Sequence, residues 1–156
     1  MQKLYFFLLC ILFFSFAQAQ PITCKHTQSF AYEAGNAIAV TNDGGCIIAG
    51  ITAEYGLGIQ GNAYLLKLDS NYNIQWGKTF ENTFQSELYD VAQTYDGGYI
   101  AAGSFQNATS IPHILIIKTD AAGTLVWQQT LGTIGNDHAY VIKQTPDSGY
   151  VAVGHT

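Results

Sequence analysis

Apolar and polar residues alternate over short runs along most of this chain, and Gly, Asn and Asp punctuate the runs. Over residues 36–80 four runs stand out: NAIAVT (36–41), CIIAGIT (46–52), AYLLKLD (63–69) and IQWGKTF (74–80). Over residues 89–131 four more follow: YDVAQT, YIAAGSF, HILIIKTD and TLVWQQTL. All are rich in β-branched and aromatic residues, none is long enough for an amphipathic helix, and none sustains the helical period. Each therefore predicts a β-strand.

The runs recur in step. The phrase AVTNDGGCIIAG (39–50) returns as QTYDGGYIAAG (93–103) and KQTPDSGYVAVG (143–154), which sets Asp43, Asp96 and Asp147 53 and then 51 residues apart. Lys67-Leu68-Asp69 returns as Lys118-Thr119-Asp120, Trp76 as Trp127, and Gly50 as Gly103 and Gly154. The Lys-to-Trp and Trp-to-Asp spacings are the same in both copies, so the extra two residues fall in the glycine-marked stretch AEYGLGIQG (53–61), a loop. In each phrase the aspartate can accept from the backbone two residues on while a glycine takes positive φ, so the phrase predicts a hairpin. Because Asp147-Ser148-Gly149 keeps only the second glycine, the second is expected to be the left-handed one.

A lone four-stranded sheet cannot bury both faces. Repeated at about fifty residues it buries them against its neighbours, as β-propeller blades do. The reading is an all-β chain of β-propeller repeats with four antiparallel strands per blade. Residues 20–34 supply the fourth strand of a neighbouring blade, 35–84 and 85–136 are blades, and 137–156 are the first half of another. Two complete blades fall short of the four to eight that close a ring. The ring is therefore expected to be incomplete, the chain a piece of a longer gene product, and its exposed edges prone to association. Trp76, Trp127, Tyr99 and Tyr150 are expected to pack blade on blade.

Laid out as D-x-A-x-x-I-x-x-T-x-D-G-G-Y-x-x-x-G, then K-x-D, then W, the pattern resembles repeats of large secreted proteins of Bacteroidota. Asp96-Gly97-Gly98-Tyr99, Lys118-Thr119-Asp120 and Trp127 carry the resemblance, which covers residues 22–156. It implies a propeller, commonly followed by a type IX secretion sorting domain. The chain departs from the pattern at Cys46, where a tyrosine is usual, at Ser148, and in having no sorting domain. Kelch repeats share the period and the tryptophan but end their second strand in Gly-Gly, where this chain has Ala49-Gly50, Ala102-Gly103 and Val153-Gly154. AAGTLVWQQTLG (121–132) is similar to the tryptophan-docking motif of quinone-dependent dehydrogenases. Neither of these families accounts for the Asp-Gly-Gly turn.

The front of the chain differs from the rest. Lys3, an apolar run from Leu4 to Phe16 and Ala17-Gln18-Ala19 form a secretory signal peptide, cut after Ala19, and the run is too short to span a bilayer. The expected location is secreted or at the cell surface, with no transmembrane segment. Processing removes Cys10 and leaves Cys24 and Cys46, which can form a disulfide or remain as thiols. Six basic residues, all lysine, stand against eleven acidic ones, which argues against nucleic acid as a partner.

Candidate chemistry is sparse. Asp69-Ser70-Asn71-Tyr72-Asn73 opens like a calcium loop, but Ile74 stands where glycine is needed and Phe80 where a glutamate is needed, so an Asx hairpin turn is the favoured reading. Among His26, His113, His138 and His155 no pair has a zinc-site spacing, and Cys24-Lys25-His26 supplies too few ligands. Glu33, Glu87 and Asp137 fall near the start of each first strand as turn or solvent contacts, or as carboxylates lining a channel. No catalytic, cofactor-binding or metal residue is assigned and no cofactor is expected. The leading expectation is a non-enzymatic scaffold or interaction surface for protein or glycan. The alternatives are a piece of a quinone-dependent dehydrogenase-like or glycan-processing propeller, and a carbohydrate-binding propeller using Tyr55, Tyr72 and Phe105.

Overall fold

The computed structural model describes residues 31–54, 61–80, 85–106, 108, 110–132 and 134–156. The leader, Cys24, His26 and Tyr55 lie outside the described residues, among which there are ten β-strands and no helix. Among the described residues no helix is long and apolar enough to cross a membrane. Strands β1 (Ala31–Val40), β2 (Cys46–Glu54), β3 (Asn62–Leu68) and β4 (Ile74–Phe80) pair in chain order as an antiparallel sheet. Strands β5 (Ser86–Gln93), β6 (Tyr99–Gln106), β7 (Pro112–Thr119) and β8 (Leu125–Leu131) repeat that arrangement, and β9 (His138–Gln144) and β10 (Tyr150–His155) form a two-stranded third sheet. These sheets are units 1, 2 and 3 below.

The period-2 alternation now acquires directions. Ile47, Ala49 and Leu65 of unit 1 pack with Leu88, Val91 and Tyr99 of unit 2 in one apolar cluster. Ile100, Ala102 and Ile116 of unit 2 pack with Ala139 and Ile142 of unit 3 in another. Successive residues of β6 thus face opposite neighbours, and unit 2 is buried on both sides. That requirement explains the unbroken apolar run Ile114-Leu115-Ile116-Ile117 in β7, since a strand covered on both faces has no solvent side to make polar. Each fully buried aliphatic side chain contributes about 1.5–3 kcal/mol.

The repeated aromatics seal these clusters. Trp76 meets Tyr99 of the next unit with ring centroids 5.7 Å apart and planes at 62°, and Trp127 meets Tyr150 at 5.8 Å and 62°. Edge-to-face contact of this kind puts the positive ring edge on the negative face. Gly123 enters the same seam: a Cβ there would sit 2.9 Å from Trp76 Cζ3.

One expectation about the hairpins is overturned. The left-handed residue is the first glycine of each pair, Gly44 (φ 79°) and Gly97 (φ 81°), and in unit 3 it is Ser148 (φ 68°). In unit 2 Gly97 N donates to the Thr94 carbonyl and Thr94 N to the Gly98 carbonyl, both at 2.9 Å, so the chain must turn left-handed before the second glycine. That second glycine answers to a different constraint. A Cβ at Gly45 would lie 2.1 Å from the Leu68 carbonyl oxygen, and one at Gly98 would lie 2.2 Å from that of Thr119. Serine can take the left-handed slot because strain there is about 1–2 kcal/mol, whereas a side chain in the second slot would collide with the third strand.

Candidate functional site

The polar residues that repeat are bound internally. Lys67 and Lys118 are buried, the setting in which a lysine can become a catalytic group. Here, however, each ammonium is matched by local acceptors. Lys67 Nζ donates to both carboxylate oxygens of Asp43 (2.8 and 3.1 Å) and to the Leu68 carbonyl (2.7 Å). Lys118 Nζ does the same with Asp96 (2.9 and 3.2 Å) and the Thr119 carbonyl (2.8 Å). The aspartates also accept from Thr41 and Thr94 hydroxyls and from Gly45 and Gly98 amides. These bonds hold Asp43 well below the carboxylate range, with Lys67 the largest cause, and Asp96 at about 2, with Thr94 first and Lys118 second. The lysine of K-x-D and the aspartate of D-G-G thus form one staple, fastening the first hairpin to the third strand.

A second staple joins units. Gln93 Oε1 accepts from the Asn42 amide in the turn of unit 1, and Gln144 Oε1 from the Tyr95 amide in the turn of unit 2, each at 2.8 Å.

Polar groups that are not the same in all three units gather on the first strands. Each first strand carries a β-bulge, between Gly35 and Ala37, Leu88 and Asp90, and Ala139 and Val141, so Asn36, Tyr89 and Tyr140 are the extra residues. A bulge re-aims the side chain it carries, and here it aims each one along a shared ridge. Asn36 Nδ2 donates to Glu87 Oε1 and to the Leu88 carbonyl, both at 2.8 Å. The Tyr89 hydroxyl meets Ser104 Oγ at 3.1 Å, and its ring lies 5.5 Å from that of Tyr140 and 6.0 Å from that of His138. His138 stacks on Tyr140 with planes 4° apart and on His155 at 5.0 Å, while Tyr140 and His155 remain open to solvent.

Burial, and then His155, push His138 below the ordinary imidazole range, and its buried Nδ1 makes no hydrogen bond. A neutral ring in this stack presents a face and an edge, not a charge. Burial also raises the Tyr89 phenol above its usual range. The ridge therefore offers stacked ring faces bordered by the Glu87 carboxylate, which suits stacking and hydrogen bonding.

The sequence candidates divide accordingly. Glu87 belongs to the ridge, Asp137 is fully buried with Oδ2 3.6 Å from His113 Nδ1, and Glu33 is exposed on β1, so the three acids do not form one row. Asp69 Oδ1 accepts from the Asn71 and Asn73 amides at 2.8 Å each, and Asp120 Oδ1 accepts from Ala122 (2.9 Å) and Thr124 (2.7 Å). Both are Asx hairpin turns, with Tyr72 (φ 61°) and Gly123 (φ 77°) left-handed in the equivalent place. Cys46 is a buried free thiol, and burial raises its pKa. Of the rim aromatics, Tyr72 is exposed while Phe105 packs against the first cluster. Among the described residues no three His, Cys, Asp or Glu groups are placed to hold a metal ion.

No protein-family model and no curated protein matches this chain.

The pairing of His138 with His155 had a signal in the sequence. The Asp147-Ser148-Gly149 turn fixes the β9–β10 register, and that register places these two histidines opposite each other.

Proposed function

We propose that this chain is an exported, non-enzymatic repeat protein of the β-propeller kind, whose units are blades and whose first-strand ridge is a binding surface for a protein or glycan at the cell envelope or outside it. One observation carries the reading: in a chain that repeats itself, the equivalent ridge positions differ. Ala34, Glu87 and His138 at one position are all different and Asn36 stands where units 2 and 3 have Tyr89 and Tyr140, while the lysine, aspartate, tryptophan and glycine that build the fold recur. Residues that a fold needs recur with it, and outward residues that break the period on one ridge answer to a partner. The leader supports export, and the resemblance to secreted Bacteroidota repeats supports the blade reading.

The test is binding of the purified protein to envelope fractions of the producing cell and to a glycan array. Tyr140→Ala and His155→Ala are expected to weaken capture by about tenfold or more, the size of a hot-spot loss, with melting unchanged. Exposed Tyr72→Ala, far along the chain on the β3–β4 turn, should leave capture intact. Capture that is absent, or indifferent to the ridge substitutions, would remove the proposal.

A further inference from the structure

We propose that the groove between the fourth strands of units 1 and 2 binds a sugar unit carrying a single carboxylate, a uronate of an acidic glycan. The site lies at the opposite edge of the two sheets from the first-strand ridge and does not rest on it.

The junction of units 1 and 2 makes the groove. Trp76, Lys78 and Phe80 share the face of β4 that meets unit 2, because Trp76 reaches Tyr99 and side chains alternate along a strand. On β8, Gln128 stands opposite Ile117, which packs toward unit 1. Between the two walls is a cleft of about 390 Å³, with Lys78 and Phe80 on one side and Gly123, Thr124, Leu125 and Gln128 on the other. That size falls in the range of small-ligand sites.

The polar groups of the cleft are the ones the fold leaves open. Lys67, Lys118 and Lys143 each meet an aspartate, respectively Asp43, Asp96 and Asp90. Among the described residues Lys78 is the one lysine without an acceptor, and the Thr124 and Gln128 side chains likewise make no hydrogen bond there. Nor do Lys78 and Gln128 recur between the two units, since Gln129 and Gly77 stand in the equivalent places. The fold therefore does not require them. Lys78 is nevertheless restrained: a Cβ at Gly123 would lie 3.0 Å from Lys78 Cγ and 2.9 Å from Trp76 Cζ3, so the lysine stem lies against that turn. Unit 1 carries Tyr72 at the equivalent left-handed position, and a side chain at Gly123 would take the space of the stem. A cation held in this way loses less freedom when a ligand arrives.

The chemistry of the walls selects the ligand. One cation in the cleft of a chain of net charge −5 suits one carboxylate and disfavours a polyanion. The Thr124 hydroxyl and the Gln128 amide both donate and accept, as sugar hydroxyls do. Phe80 and Leu125 add apolar surface for the C–H groups of a ring. Backbone groups of β4 and β8 point along their sheets and not across the groove, so an extended peptide finds no ladder between the walls.

The test is a titration of the protein expressed from the full 156-residue reading, followed by amide shifts in nuclear magnetic resonance. The probes are the methyl glycosides of glucuronate, galacturonate and mannuronate, their neutral hexose counterparts, and a capped Ala-Glu-Ala peptide of the same single charge. At least one uronide is expected to shift the Thr79, Thr124 and Gln128 amides saturably, with its neutral counterpart and the peptide about tenfold weaker, the size of one lost charge-assisted hydrogen bond. Lys78→Gln places at this exposed position the residue that unit 2 carries there, so the fold is kept, and it should weaken the uronide by about tenfold. Lys143→Gln, which removes an exposed lysine elsewhere, should leave the affinity unchanged. Saturable shifts with none of the uronides, equal binding of the hexoside or the peptide, or indifference to Lys78→Gln would each overturn the inference.

Discussion

Gly103→Ala is expected to abolish cooperative folding of unit 2, while Gly97→Ala, six residues earlier in the same hairpin, costs only about 1 kcal/mol. A Cβ at Gly103 would lie 1.9 Å from the Glu87 carbonyl oxygen and 2.7 Å from Leu88 Cα. Both are backbone atoms at the start of the bulge, where the two strands approach closely, and no rotamer can relieve the overlap. The same clash recurs at Gly50, 1.8 Å from the Ala34 carbonyl oxygen, and at Gly154, 1.7 Å from that of His138. The glycine that ends each repeated phrase is thus required by the bulge that aims the ridge. Moving the backbone apart would lose Leu88 and its neighbours from the cluster shared with unit 1, so the expected loss is about 4 kcal/mol or more. At Gly97 nothing lies within 4 Å of the added Cβ, and only the left-handed φ is at stake. Urea melts followed by tryptophan fluorescence compare the two; equal costs would show that the bulge glycine has no special place.

Lys118→Met is expected to destabilise the protein by about 2–3 kcal/mol, at or below the lower end of the roughly 3–5 kcal/mol that removing one partner of a fully buried pair costs. The methionine fills the stem's volume but leaves the Thr119 carbonyl without its donor. Asp96 is mostly exposed and recovers water, which limits the loss. The aspartate also sets a pH signature. Its folded pKa is depressed to about 2, so its contribution is fully present above the ordinary carboxylate pKa of about 3.9 and is lost as the pH falls through about 2. Asp43 and Asp147 are shifted in the same direction, Asp43 chiefly by Lys67 and Asp147 chiefly by Thr145, so both lysine staples and the unit 3 turn loosen as the pH falls into the acid range. Lys118→Met should shallow that acid limb without removing it, because the Thr94 hydroxyl is the larger cause at Asp96. Denaturant melts at neutral pH and across the acid range measure both; an unchanged midpoint and an unchanged acid limb would show that Lys118 does not hold the hairpin.

What could be read from the sequence was what local chemistry decides. Strand alternation and Asx turns depend on neighbours in the chain. The segments 46–52, 63–69 and 74–80 accordingly lie on β2, β3 and β4, the last coinciding with its strand and the others with ends shifted by at most two residues. The seam between Trp76 and Tyr99 was legible because both residues recur at the period. The choice between adjacent glycines was not, because the second is fixed by a carbonyl of the third strand, more than twenty residues away in sequence. The lysine staple was visible only as spacing, since its partner lies in another hairpin. The ridge was hidden for a related reason: a bulge adds one residue to the alternation, and nothing in Asn36, Tyr89 or Tyr140 alone announces it. A candidate site built from bulges on three strands is a property of the stacking.

Stacking of equivalent units is the claim on which the glutamine staples and the ridge both depend, and ring-to-ring nuclear Overhauser effects test it most directly. The chain has two tryptophans, and each belongs against the tyrosine of the following unit. Stacking predicts cross-peaks from the Trp76 ring to the Tyr99 ring and from the Trp127 ring to the Tyr150 ring, equal in pattern because both pairs share the 62° edge-to-face geometry. Tryptophan rings that show contacts only within their own unit would contradict it.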